Sequence, residues 1–171
     1  RVINDLHPSV LETMGFVPAL ENLVVMLSRG SGIDYIFLDR NEQNDYDISD
    51  FAKLQLYRIV QEALNNVGKH SQATKMELKI QTHAGRLEIS VADNGRGIDP
   101  KLIRRDSHGL LNIRHRAQLI GATVEWRRPQ AFSQGTEIRV AVPLTADSKI
   151  NGGNGDTHSQ SSHLHKGMEQ A

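Results

Sequence analysis

The sequence predicts an α+β fold, with three helical stretches packed against a β-sheet whose clearest part is antiparallel. Two observations carry this. Three stretches place apolar residues at three- and four-residue steps, the period of a helix with one buried face. Shorter stretches between and after them alternate apolar and polar residues, the period of a half-buried strand. Each kind of element must bury its apolar side against another, and a helical layer on a sheet does this for both.

Taken in order, residues 1–30 are helical by their spacing of Leu6, Val10, Leu11, Met14, Val17, Leu20, Leu23, Val24 and Leu27. Pro8 and Gly15 interrupt the pattern, Pro18 is placed to start a second helix, and Gly30-Ser31-Gly32 stops it. Asp34–Leu38 is a short strand, and Asn41–Asp47 is a polar, acidic loop. A helix follows from about Ser49 to Lys69, capped by Ser49 or Asp50. Its apolar residues are Phe51, Leu56, Ile59, Val60, Ala63, Leu64 and Val67. Met76, Leu78 and Ile80 then alternate with polar residues, Thr82–Gly85 turns the chain, and Leu87, Ile89 and Val91 alternate again. That is a β-hairpin. Asp93–His108 is a Gly-rich, then polar, loop. A last helix spans about Gly109 to Ile120, with Gly121 as its C′ residue. Val124–Arg127 and Thr136–Val142 form a second strand pair. From Thr145 onward Gly, Ser, Asn, His and Gln dominate, which predicts a disordered tail. There are no internal repeats.

Composition narrows the function. With 171 residues the chain suits one domain and an appended segment. Lys+Arg and Asp+Glu both number 20, so bulk charge gives no support to a nucleic-acid partner. Cysteine is absent, which excludes disulfides and thiolate metal sites. No apolar run approaches the ~20 residues that span a bilayer. No signal peptide is visible, and the opening Arg1-Val2-Ile3 without Met reads as a fragment of a longer protein.

Two segments carry the chemistry. On a helix, Glu62, Asn66 and Lys69 fall at i, i+4 and i+7, hence on one face, opposite Ile59, Val60, Ala63, Leu64 and Val67. The Asn66 amide oxygen is a hard ligand suited to Mg²⁺, which keeps most of its waters and bridges phosphates. Glu62 could hold a metal-bound water, and Lys69 and His70 could contact phosphate oxygens. Taken alone, the stripe is equally well an ordinary solvated face. The second segment, Asp93-Asn94-Gly95-Arg96-Gly97, follows a strand. Its glycines permit positive φ and close backbone approach. Asp93 could accept a hydrogen bond from an exocyclic amine such as adenine N6. Taken alone, it is equally a tight turn. Gly109 within Ser107–Arg114 opens a helix, whose free N–H groups attract phosphate. Gly135-Thr136 begins a strand where a small hydroxyl could reach a base pocket.

The order of these segments is specific. Leu56–His70 closely resembles the N box of the nitrate-sensor-like histidine kinases. Val91–Gly97 resembles the G1 box, and His108–Arg116 the G2 box that follows a short ATP lid. Over roughly residues 1–144 the chain resembles the ATP-binding catalytic domain of a bacterial sensor histidine kinase. That domain belongs to the superfamily it shares with type II topoisomerases, mismatch-repair ATPases and heat-shock chaperones (the Bergerat or GHKL fold).

The resemblance implies a two-layer α/β sandwich, with a mixed, mostly antiparallel sheet and three helices on one face. It implies ATP and Mg²⁺ as cofactors, Asn66 as the Mg²⁺ ligand, and Glu62, Asn66 and Lys69 as catalytic residues. Lys69 and His70 lie near the phosphates, Asp93 reads adenine, and Gly95, Gly97, Ile98 and Thr136 shape the pocket. His108, Gly109 and Leu110 form the phosphate-side helix start, and residues 98–108 the lid. Residues 1–30 are then the end of a dimerisation hairpin and its junction, 31–144 the catalytic domain, and 145–171 the tail. The γ-phosphoryl goes to a His on the absent hairpin and thence to an Asp of a response regulator receiver domain. The parent is a homodimer anchored in the inner membrane, with this domain in the cytoplasm and no nucleic-acid partner. The resemblance also implies that His7 is not the acceptor: the stretch from Asp5 to Leu20 resembles the end of the second hairpin helix, and Pro8 would in addition disrupt helical geometry beside His7. Histidines 158, 163 and 165 belong to a solvated tail. The alternative is a regulatory module of the same superfamily, an anti-sigma-type serine kinase or a catalytically degenerate domain.

Overall fold

The computed structural model describes residues 9–42, 45–98 and 108–145. His7, the tail histidines and residues 99–107 of the expected lid lie outside them.

The first helical stretch is two helices, α1 (Ser9–Met14) and α2 (Phe16–Ser31), broken at Gly15 with φ 86°. The expected start at Pro18 is thus two residues late. Pro18 sits in the first turn of α2, where a missing N–H costs no intrahelical bond. The stop expected at Gly30-Ser31-Gly32 falls at the last of the three. The helix runs through Gly30, and Gly32, at φ 73°, closes the helix by donating its N–H to Ser28 O.

Strand β1 (Asp34–Asp39) leads through the polar loop to α3 (Asp50–Asn66). Ser49 caps α3: its Oγ accepts the Ala52 N–H at 3.1 Å. Ser49→Ala is expected to cost about 1 kcal/mol. Ser49→Asp is expected to retain most of that stability, and urea midpoints of the two variants read the difference. Strands β2 (Lys75–His83) and β3 (Arg86–Asp93) meet at Ala84 and Gly85, with φ 48° and 71°. Two positive φ values in a two-residue loop make the type I′ turn that matches strand twist. Helix α4 (His108–Leu119), β4 (Thr123–Arg127) and β5 (Glu137–Pro143) complete the fold.

The sheet order is β1-β2-β3-β5-β4. Only β1 and β2 are parallel, and α3 lies in the crossover such a pair requires. Register stacks the apolar residues in rows across three strands: Leu78–Val91–Ile138 and Ile80–Ile89–Val140. These rows join one buried core with Leu20, Leu23 and Val24 of α2, Leu56, Ile59 and Leu64 of α3, and Ile113 of α4. The expected α+β sandwich is the observed one.

The opposite side of the sheet is polar but not fully wet. Glu88 is 5 % exposed and bonds Gln81 and Arg139. Burial alone would raise its carboxyl pKa. The two donors outweigh that and hold it below the usual carboxylate value. Glu137 is paired in the same way with Arg127, at 2.6 Å.

Thr145, expected to start the tail, is instead anchored. Its backbone N–H and its hydroxyl both donate to Asp47 O. Among the described residues, no helix is long and apolar enough to cross a membrane.

Candidate functional site

Antiparallel pairing brings the end of β3 beside the start of β5: Ala92 lies opposite Glu137, and Asp93 N–H donates to Thr136 O at 2.9 Å. The C-terminal end of α3 and the first residues of α4 open onto the same place. Between them lies a pocket of about 430 Å³. Eleven of the twelve sequence-predicted site residues line it: Glu62, Asn66, Lys69, His70, Asp93, Gly97, Ile98, His108, Gly109, Leu110 and Thr136. Gly95 does not. It sits behind Asp93, where its N–H donates to Asp93 Oδ1 at 2.8 Å.

The helix carrying the polar stripe ends differently from the expected α-helix to Lys69. The α-helix closes at Asn66, and Val67–Ser71 widens into a π turn. Ser71 makes this possible: its Oγ donates to Val67 O at 2.7 Å and accepts the Ala73 N–H at 3.0 Å. Such turns recur at functional sites because they re-aim side chains. Here Lys69 and His70 both face the pocket and are both exposed.

Two oxygens converge over the start of α4. A Cβ built on Gly109 would lie 2.5 Å from Glu62 Oε1 and 3.5 Å from Asn66 Oδ1. A hydrogen at position 109 therefore leaves room between a carboxylate, an amide oxygen and the N–H groups of a helix start. Hard oxygens suit Mg²⁺. Among the described residues no cluster of three His, Asp or Glu could hold a metal by itself. The donor set fits a cation that completes its shell with water and phosphate.

Asp93 is 4 % exposed at the other end. Burial raises its pKa, and the N–H groups of Gly95 and Thr136 oppose the rise without cancelling it. Gly95 is required there by space, since an added Cβ would lie 2.7 Å from the Ser71 carbonyl carbon. The turn is held from outside too. Asn94 Oδ1 accepts the N–H groups of Thr74 and Lys75, each at 2.9 Å.

The sequence missed Ala63, Val67, Ser71, Val91, Arg96 and Ile138 as pocket lining. Val91 and Ile138 face each other across β3 and β5, and both read as plain core. A strand residue that floors a pocket carries the same signal as one that floors a core. Arg96 was visible inside the glycine motif. Nothing in the sequence marked Ser71.

The chain is similar to known proteins over most of its length. The chain is 29% identical over 150 residues to the signal transduction histidine-protein kinase/phosphatase DegS of Brevibacillus brevis, covering 86% of this chain and 37% of that protein. It is 33% identical over 144 residues to the sensor histidine kinase LiaS of Bacillus subtilis, covering 84% of this chain and 38% of that protein. The chain thus spans well under half the length of these relatives. The histidine kinase domain of the Erythrobacter litoralis EL346 blue-light activated histidine kinase shares the fold, with TM-score 0.62 at 20% identity, over 75% of this chain and 61% of that one. Residues 52–146, more than half of the chain and the whole of the pocket, match one family, and the chain belongs to it: the histidine kinase-, DNA gyrase B- and HSP90-like ATPases.

Proposed function

We propose that this chain is the ATP-binding catalytic domain of a sensor histidine kinase and that it binds ATP together with Mg²⁺. The parent protein would pass the γ-phosphoryl to a His on a dimerisation hairpin and then to an Asp of a response regulator. In that layout residues 1–30 are the end of the hairpin and its junction, 31–145 the catalytic domain and 146–171 a tail. The observation that carries this reading is the convergence of α3, the π turn, the β3 end, α4 and the β5 start on one pocket.

Each side chain has a distinct task. Asp93 accepts from the adenine amine at the buried end, with Val91 and Ile138 as apolar floor. Lys69 and His70 meet the phosphates at the exposed end. The free N–H groups at the start of α4 meet the same phosphates. Asn66 and Glu62 would hold Mg²⁺, Asn66 directly and Glu62 through water. When bound, the ion neutralises phosphate charge, which with positioning is most of what phosphoryl transfer needs.

Titration of this chain with ATP, with and without Mg²⁺, tests the reading. The native chain is expected to bind ATP more tightly with Mg²⁺. Asn66→Ala is expected to bind metal-free ATP normally and to lose the Mg²⁺ enhancement, about tenfold. A folded native chain that binds no nucleotide would overturn the proposal.

A further inference from the structure

We propose that Arg96 binds the polyphosphate of the nucleotide, as a cation fixed to the glycine turn rather than to the lid. The inference rests on the nucleotide reading above. Arg96 sits within the motif at the base end, so position in the sequence alone would put it near adenine. The structure puts its backbone elsewhere. The Arg96 N–H donates to Ser71 O at 2.8 Å, which sets it against the π turn that carries Lys69 and His70. Arg96 lines the pocket, its side chain is exposed, and it has no ion-pair partner among the described residues.

Its mount is unusually rigid for a loop residue. Asn94 is tied by its side chain to Thr74 and Lys75 and by its N–H to Lys75 O at 3.1 Å. Gly95 is tied to the Asp93 carboxyl, and Arg96 to Ser71. Three consecutive residues are therefore each bonded to a different anchor. The guanidinium is then projected from a fixed point into a mouth that also holds Lys69, His70 and His108. Lys69, His70 and His108 also lack ion pairs among the described residues. Lys69 and Arg96 bring positive charge to that mouth, and such charge on a rim draws an anion to it. A guanidinium adds what Lys cannot, a planar fork that grips two phosphate oxygens.

The test is binding of ATP and of adenosine to the native chain, Arg96→Gln and Arg96→Lys, at two salt concentrations. Arg96→Gln is expected to lose about tenfold in ATP affinity, leave adenosine binding unchanged and weaken the salt dependence for ATP. Arg96→Lys is expected to recover part of the ATP affinity, with the native salt dependence. Equal loss for ATP and adenosine, or no loss for ATP, would overturn the assignment and leave the nucleotide reading standing. A native chain that binds neither ligand would sink both.

Discussion

Gly135→Ala is expected to lower stability by about 4 kcal/mol. Gly135 stands immediately before β5, with φ 111°. A Cβ there would overlap the Asp93 carbonyl oxygen and lie 2.7 Å from the carbonyl carbon and 3.0 Å from Asn94 Cα. All three are backbone atoms, so no side chain can swing aside. Relief requires the start of β5 to part from the end of β3, which breaks the Asp93–Thr136 bond. The positive φ adds strain that alanine bears poorly. In a domain of this size the melting temperature is expected to fall by roughly 10 °C. Gly30→Ala is the control of opposite sign. It lies within α2 with nothing inside 4 Å of an added Cβ. Alanine there is expected to stabilise by about 1 kcal/mol. Thermal melts of the two variants decide the matter: equal behaviour would mean that the β3–β5 approach is looser than described.

The second large effect concerns Asp93 and carries two signs. Asp93→Asn is expected to cost ATP binding about a hundredfold or more. The amide can still accept the Gly95 N–H through its oxygen, but it then turns an NH₂ group toward the adenine amine. Donor faces donor, and both are buried. Stability moves the other way. Burial gives Asp93 a pKa above the ordinary aspartate value of 3.8. The folded state thus holds this proton more tightly than the unfolded chain does. The stability associated with Asp93 is full below 3.8 and is lost as pH rises through the folded value. At neutral pH the ionised carboxylate is a cost to the fold. Removing its charge is expected to stabilise the ligand-free protein at pH 7. That gain should disappear near pH 3.5, just below the unfolded value, and urea midpoints at the two pH values measure it. A variant that binds ATP normally, or that is destabilised at pH 7, would contradict the role given to this carboxylate.

The sequence by itself determined which elements form and most of the polar residues that line the pocket. Periodicity marked the helices and the hairpin because one face of each is buried in a single core, and burial leaves a regular trace. Glycines at 95, 97 and 109 and the polar residues at 62, 66, 69 and 93 stood out because they break that trace. Tertiary structure decided what has no periodic signature. The π turn depends on Ser71 bonding back to Val67, a local competition that α-helical spacing does not reveal. The pairing of β3 with β5 made Val91 and Ile138, both members of the core, line the pocket as well. It also made Gly135 a point of backbone contact. One bond to Ser71, a residue 25 positions earlier in sequence, set the Arg96 backbone against the turn that carries Lys69 and His70. Charge, size and spacing are written along the chain. Which backbone approaches which is settled only when distant segments share one volume.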